Sequence, residues 1–196
     1  MSRYRTIVAD PPWDVNGAGP RWTGKKGVDA RGVGPSRPLP YQTMALSEIL
    51  ALPVSELADE AAHLYLWTTN RFLDAAYQVV ARWGFAPSQM LVWAKTPRGL
   101  GLGGAFTSTT EFILFARRGR LPTLSKQNTS WWNWKRPELG TGPQHSRKPE
   151  AFLDLVEQVS PGPYLELFAR RNRLGWDTWG NESLEHVALG GLVDPR

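Results

Sequence analysis

Arg5-Thr6-Ile7-Val8-Ala9-Asp10-Pro11-Pro12-Trp13 decides the fold. Residues 5–9 are short, apolar or β-branched, and read as a buried strand. Two successive prolines lack N–H groups and fix φ, so the strand ends there and Asp10 stands at its carboxyl end. Four later segments repeat the apolar pattern: His63 to Trp67, Gln89 to Trp93, Glu111 to Ala116 and Tyr164 to Phe168. Trp176 to Trp179 is a further short strand. Between them lie helical patterns. Ser47 to Leu50 opens a short helix stopped before Pro53. Phe72, Ala76, Val79 and Trp83 recur at helical spacing over 71–83, closed by Gly84. Pro149 starts a helix to Val159 with Phe152, Leu155, Val156 and Val159 on one face. Strands alternating with helices predict an α/β sheet covered on its faces. Ligands of such sheets bind beyond the carboxyl ends of the strands. Asp10–Trp13, Thr68–Asn70, Trp93–Lys95 and Arg170–Asn172 all follow a strand at that end.

The chain has 196 residues, 41% hydrophobic and 21% charged, which suits a single domain over 1–196 with one core. Segments 15–40, 96–106 and 117–147 lack either period and are expected to be mobile loops. The chain has no cysteine, which excludes disulfides, thiolate nucleophiles and cysteine zinc sites. Its three histidines are scattered, so no metal site is expected. No apolar run approaches the roughly 20 residues of a membrane helix. The start, MSRYRTIVAD, lacks the apolar stretch of a signal peptide, and a cytoplasmic location is expected.

The net charge of +5 leans toward an anionic partner, and its distribution is uneven. Arg21, Lys25, Lys26, Arg31 and Arg37 face only Asp29 over residues 16–39, and 117–148 is also basic. Ten tryptophans beside cationic loops suit a partner with flat bases and phosphates, although some must fill the core. Trp131, Trp132 and Trp134, with Lys135 and Arg136, could clamp a nucleic-acid strand or plug a long loop onto the body.

Asp10-Pro11-Pro12-Trp13 offers a carboxylate, stiffly held carbonyl acceptors and an aromatic plate. Two acceptors can take both N–H protons of an amine on a flat ring and turn its lone pair toward an electrophile. Trp13 would stack on the ring, which must first leave its helix if the substrate is duplex. The plainer reading is a strand-end turn with Trp13 in the core.

The tetrapeptide resembles the catalytic signature of the MT-A70 family of S-adenosylmethionine-dependent N6-adenine methyltransferases. Pro40-Tyr41-Gln42-Thr43-Met44, Leu64-Tyr65-Leu66-Trp67 and Val92-Trp93-Ala94-Lys95-Thr96 resemble its next motifs. Ser146-Arg147-Lys148-Pro149-Glu150, Glu166-Leu167-Phe168-Ala169-Arg170 and Gly175 to Glu182 complete the set in family order, over about residues 5–182. The resemblance implies a Rossmann-like methyltransferase fold, permuted so that the catalytic Asp-Pro-Pro-Trp strand precedes the cofactor-binding strand. It implies S-adenosyl-L-methionine as cofactor, with Asp10, Lys148, Arg170, Asn172, Asn181 and Glu182 around it and Lys148 on the methionine carboxylate. It implies catalysis by Asp10, Pro11, Pro12 and Trp13. Tyr41, Trp67, Asn70, Lys95, Glu111, Lys25, Lys26, Lys135 and Arg136 are the candidate substrate contacts. The sulfonium is already activated, so the displacement requires no metal.

Longer relatives have an upstream segment near the cofactor adenine, and separate RNA-binding and partner subunits. A bare catalytic domain is expected here, acting on nucleic acid, with DNA favoured over RNA. Two rivals are N4-cytosine methylation, whose enzymes more often carry Ser-Pro-Pro-Tyr or Ser-Pro-Pro-Trp, and a non-catalytic nucleic-acid-binding subunit, which would tend to lose these motifs. Oligomeric state is left open.

Overall fold

The computed structural model describes residues 4–14, 43–95, 106–135 and 147–180. The expected loop at 15–40, and nearly all of that at 96–106, lie outside the described residues. The described chain runs β1 (Tyr4–Ala9), α1 (Leu46–Ala51), α2 (Val54–Leu57), β2 (Ala58–Thr68), a 3-10 turn (Asn70–Phe72) and α3 (Leu73–Arg82). It continues with β3 (Ala86–Ala94), β4 (Thr110–Arg118), β5 (Trp131–Trp132), α4 (Glu150–Val159), β6 (Tyr164–Leu167) and β7 (Trp176–Trp179).

The seven strands form one sheet in the order β5-β3-β4-β2-β1-β6-β7. β1 pairs in parallel with β2 and β6, and β6 with β7. β4 is antiparallel to both β2 and β3, so β3 again points the same way as β1. The carboxyl ends of β1, β2, β3 and β6 therefore share one edge with the start of β4. This is the Rossmann-like α/β architecture, with few helices for its seven strands.

Successive residues of β2 point to opposite faces and build two cores. Leu64 and Leu66 join Ile7, Ala9, Ile49, Val79 and Trp83 under α1 and α3. Tyr65 and Trp67 join Val8, Ile113, Phe152 and Val156 under α4. A strand buried on both faces reads as a continuous apolar run. The four apolar positions predicted for α3 (Phe72, Ala76, Val79 and Trp83) are all buried. Gly84, at φ +82°, then turns the chain out of that helix. Pro149 sits one place earlier than expected, as the extended residue before α4.

The described part of the segment expected to be mobile at 117–147 is irregular but fastened down. β4 takes its first two residues. The Leu124 N–H donates to Val159 O, the Ser125 hydroxyl to Gln158 O and the Val92 N–H to Ser130 O, at 2.8, 2.7 and 2.8 Å. Trp132 and Trp134 stack at 5.1 Å, and Trp134 meets Phe152 edge-on. The plug reading therefore holds for these two rings, while Trp131 stays exposed. Lack of periodicity shows lack of regular structure, not lack of anchorage.

Candidate active site

The approach to the site is set at the end of β1. The Asp10 N–H reaches Leu167 O of β6 at 3.4 Å, which keeps Asp10 on the shared strand edge. The Trp13 N–H donates back to Pro11 O at 2.8 Å, and the Met44 N–H to Pro12 O at 2.9 Å. Both proline carbonyls therefore have one internal bond each and keep a second lone pair. Trp13 corrects an expectation. It is 8% exposed, stacks on Phe72 at 5.6 Å and donates its indole N–H to Trp67 O at 3.1 Å. It fixes the turn from within the core and offers no open plate.

Four charged side chains of alternating sign run along the strand edge. Lys95 Nζ lies 2.7 Å from Glu111 Oε1. Lys148 Nζ lies 3.2 Å from Glu111 Oε2 and 2.9 Å from Asp10 Oδ2. All four side chains are between 12% and 23% exposed, so solvent screens them little. Burial pushes Lys148 downward, but Asp10 and Glu111 outweigh it and hold the ammonium above its ordinary value. Burial also raises Glu111, and the two lysines more than reverse it. Burial drives Asp10 upward; Lys148 pulls against it, and Glu111 adds to the rise. Asp10 is thus a carboxylate short of compensation in its surroundings.

Trp67, a candidate substrate contact, is only 1% exposed and lies in the wall of the cleft described below. Its ring supports Lys148, whose Nζ stands 5.1 Å from the ring centroid.

A narrow cleft opens beside this chain of charges, lined among others by Asp10, Lys148, Glu166, Phe168, Arg170 and Arg171. Glu166 Oε2 and Arg171 Nε are buried there without a hydrogen-bond partner among the described residues. Burial pushes the Glu166 carboxyl up to about 7, against the opposing pull of Arg171. Buried polar groups without partners are costly, and they mark where a ligand with complementary groups would fit. Phe168 adopts φ 63°, left-handed for a residue with a side chain. Behind it, a Cβ on Gly180 would overlap the Ala169 backbone and stand 2.7 Å from the Phe168 carbonyl carbon. Only glycine lets the chain leaving β7 lie on the turn leaving β6, where the Ala169 N–H donates to Trp179 O at 2.9 Å.

The profile of the MT-A70 family matches residues 4–182, nearly the whole chain. The chain belongs to the MT-A70 family. It is 31% identical over 191 residues to the type II methyltransferase M.MunI of a Mycoplasma species, covering 92% of this chain and 78% of that one. It is 26% identical to a putative N(6)-adenosine-methyltransferase MT-A70-like protein of Medicago truncatula, over 93% of this chain and 27% of the relative. It is 27% identical to the N(6)-adenosine-methyltransferase MT-A70-like protein of Drosophila melanogaster, over 100% of this chain and 29% of the relative. The family is one of S-adenosylmethionine-dependent N6-adenine methyltransferases, and this MT-A70 chain is such an enzyme.

The MT-A70 fold brings Asp10, Lys95, Glu111, Lys148 and Arg170 to one edge. Asn172, which follows β6 in sequence, and Asn70, which follows β2, are exposed, as is Lys135 beyond β5. Tyr41, Lys25, Lys26, Arg136, Asn181 and Glu182 lie outside the described residues. Sequence reasoning placed Glu166 inside the cofactor motif but gave it no role. Its signal was there: an acid alternating with Leu165 and Leu167 in a buried strand. Among the described residues no group of three His, Cys, Asp or Glu could hold a metal ion. No described helix is long and apolar enough to cross a membrane.

Proposed function

We propose that this enzyme transfers a methyl group to the N6 amine of adenine in nucleic acid, with DNA favoured over RNA, and that the described cleft receives S-adenosyl-L-methionine. The observation that carries the reading is the meeting of Asp10 with Lys148 beside Glu166 Oε2 and Arg171 Nε, two buried atoms without a hydrogen-bond partner among the described residues. The amino-acid end of the cofactor is a zwitterion. Its carboxylate suits Lys148 and Arg170, and its ammonium suits Glu166, so the donor set fits.

When bound, the cofactor supplies a methyl group already activated on a sulfonium. The chain's residues hold the amine. The Asp10 carboxylate accepts one N–H, and the second lone pair of Pro11 O accepts the other. The amine lone pair is thereby turned out of ring conjugation. As positive charge grows on that nitrogen, the Asp10 carboxylate stabilises it, and the proton the methylated amine loses passes through Asp10 to water. The stiff turn locked by Trp13 keeps both acceptors in place before the base arrives. The preference for DNA is supported by the higher identity to a type II methyltransferase, 31%, than to the relatives named for adenosine, 26% and 27%. Labelled-methyl transfer onto a panel of DNA and RNA, followed by nucleoside mass spectrometry, tests it. N6-methyladenine formed in DNA above RNA is the expected product. N4-methylcytosine, or no transfer by folded protein, refutes the reading.

A further inference from the structure

The carboxylate that must accept the target amine is already engaged: Asp10 Oδ2 is 2.9 Å from Lys148 Nζ. Lys148 is at the same time 3.2 Å from Glu111 Oε2, while Lys95 holds the other oxygen of Glu111 at 2.7 Å. Glu111 is therefore anchored from behind, and of the two carboxylates that Lys148 bridges, Glu111 is the fixed one and Asp10 the exchangeable one. We propose that Glu111 is a positioning residue that holds Lys148 as a swinging cation: Lys148 masks Asp10 until a ligand carboxylate draws it away, so the cofactor is engaged before the base. This inference rests on the cofactor cleft proposed above.

The charge arithmetic favours exchange over simple addition. Lys95, Glu111, Lys148 and Asp10 together are neutral. A carboxylate arriving in this poorly screened pocket needs a cation, and Lys148, with three N–H donors on a flexible stem, can turn to it without leaving Glu111. The Trp67 ring gives the ammonium a surface to pivot on. Asp10 then loses Lys148 while still largely shielded from water, and an amine N–H becomes the partner it lacks. Masking also guards the empty enzyme: without the cofactor's carboxylate, the base meets an Asp10 whose Oδ2 is still held by Lys148. Lys95 serves as the brace that stops Glu111 from following Lys148.

Two ligands separate this from a purely structural role. S-adenosylhomocysteine carries the amino-acid carboxylate; 5′-methylthioadenosine keeps the nucleoside and the sulfur without it. By calorimetry, Asp10→Asn should bind S-adenosylhomocysteine about tenfold tighter than the natural chain, because Lys148 no longer has to leave a carboxylate; couplings of about 5- to 150-fold are usual. Its affinity for methylthioadenosine should not change. Glu111→Gln should weaken S-adenosylhomocysteine alone. In the natural protein, S-adenosylhomocysteine and not methylthioadenosine should raise affinity for an adenine-containing oligonucleotide, an arm that needs no variant to fold. Asp10→Asn binding S-adenosylhomocysteine no better than the natural chain, Glu111→Gln shifting both ligands alike, or both ligands raising oligonucleotide affinity equally would overturn the proposal. If S-adenosylhomocysteine does not bind the natural chain at all, the cofactor cleft itself falls, and this inference with it.

Discussion

The two ends of the sheet each carry a buried polar cluster, and the clusters are built on opposite rules. At the end away from the cleft, His63 Nε2 donates to Leu121 O at 3.1 Å. That leaves Nδ1 to accept from the Ser160 hydroxyl at 2.8 Å, which in turn takes the Tyr65 hydroxyl at 2.8 Å. Burial forces His63 down to about 4, so the imidazole is neutral and every bond closes inside the protein. At the cleft, the groups are charged, Asp10 and Glu111 share one ammonium, and Glu166 Oε2 and Arg171 Nε lack hydrogen-bond partners among the described residues. The first cluster contains serine, histidine and tyrosine, the usual components of nucleophilic catalysis, yet Ser160 is fully buried and its bonding saturated. Residue types alone would point to the wrong end. Open hydrogen-bonding capacity facing a cleft separates a site from a structural network.

The largest effect should come from Asp10→Ala. Loss of one preorganised electrostatic group costs on the order of a hundredfold or more in turnover. Ser160→Ala, at the other end, should leave methyl transfer by the folded protein near normal while lowering the melting temperature, because it strips partners from His63 and Tyr65. Methyl-transfer rates and thermal melts on both variants check this. A folded Asp10→Ala protein with natural turnover would collapse the distinction.

The next effect is on stability, and the two clusters should respond to pH with opposite sign. His63 has a folded value lowered to about 4 from 6.5, so its contribution is complete above about pH 6.5 and is lost as pH falls toward 4. Glu166 is raised to about 7 from 4.5, so its contribution is complete below about pH 4.5 and is lost as pH rises through 7. Each shift corresponds to at most about 3 kcal/mol, and the slopes largely cancel between roughly pH 4.5 and 6.5. Glu166→Gln removes one slope. Its stability, from urea melts across pH, should then rise more steeply over that window than that of the natural chain. Unchanged pH dependence would mean that Glu166 is not held in a costly ionised state.

The sequence made much of this arrangement legible, and the limits have physical causes. β1 and the core of β2 are continuous apolar runs, β6 alternates, and the apolar stripe of α3 recurs at helical spacing, so their residues announced them. The amino half of β2, Ala58 to Ala62, mixes acids with alanine and shows no such period. β5 is two residues held by Val92 and Trp93 of β3, and no local pattern marks so short an edge. Strand direction is also silent in side chains, so the reversal of β4 that brings Glu111 to the cleft appears only in the pairing. Asp10 was readable because the prolines and its strand are adjacent in the chain. The link from Lys148 to Glu111 joins residues far apart in sequence, as does the one from His63 to Ser160. Trp13 could equally have been a plate or a core ring, because packing against Phe72, not residue type, decides it.

A smaller effect separates the clusters by ligand. Lys148→Ala should cost about 1.5–3 kcal/mol in affinity for S-adenosylmethionine, the worth of a hydrogen bond to a charged group. Ser160→Ala should leave that affinity alone. Calorimetry on both variants measures the contrast, and equal loss in the two would mean that the saturated network also shapes the cleft.

The smallest effect concerns the basic segments rather than either cluster. Of Lys25, Lys26, Lys135 and Arg136, only Lys135 is among the described residues, where it is exposed and outside the assembled charge chain. If they grip phosphates, each phosphate neutralised on duplex contributes about −0.9 to the slope of log affinity against log salt. Changing all four to alanine should flatten that slope by roughly 2–4 and leave S-adenosylmethionine affinity unchanged, since an exposed lysine does not touch the paired carboxylates. Polarisation assays on an adenine-containing duplex at several salt concentrations, with calorimetry on the cofactor, read both quantities. A quadruple variant with the natural slope would make this charge an ordinary solvated surface. A flattened slope accompanied by weaker cofactor binding would mean that these segments reach the cleft, and that the boundary between grip and site lies elsewhere along the strand edge.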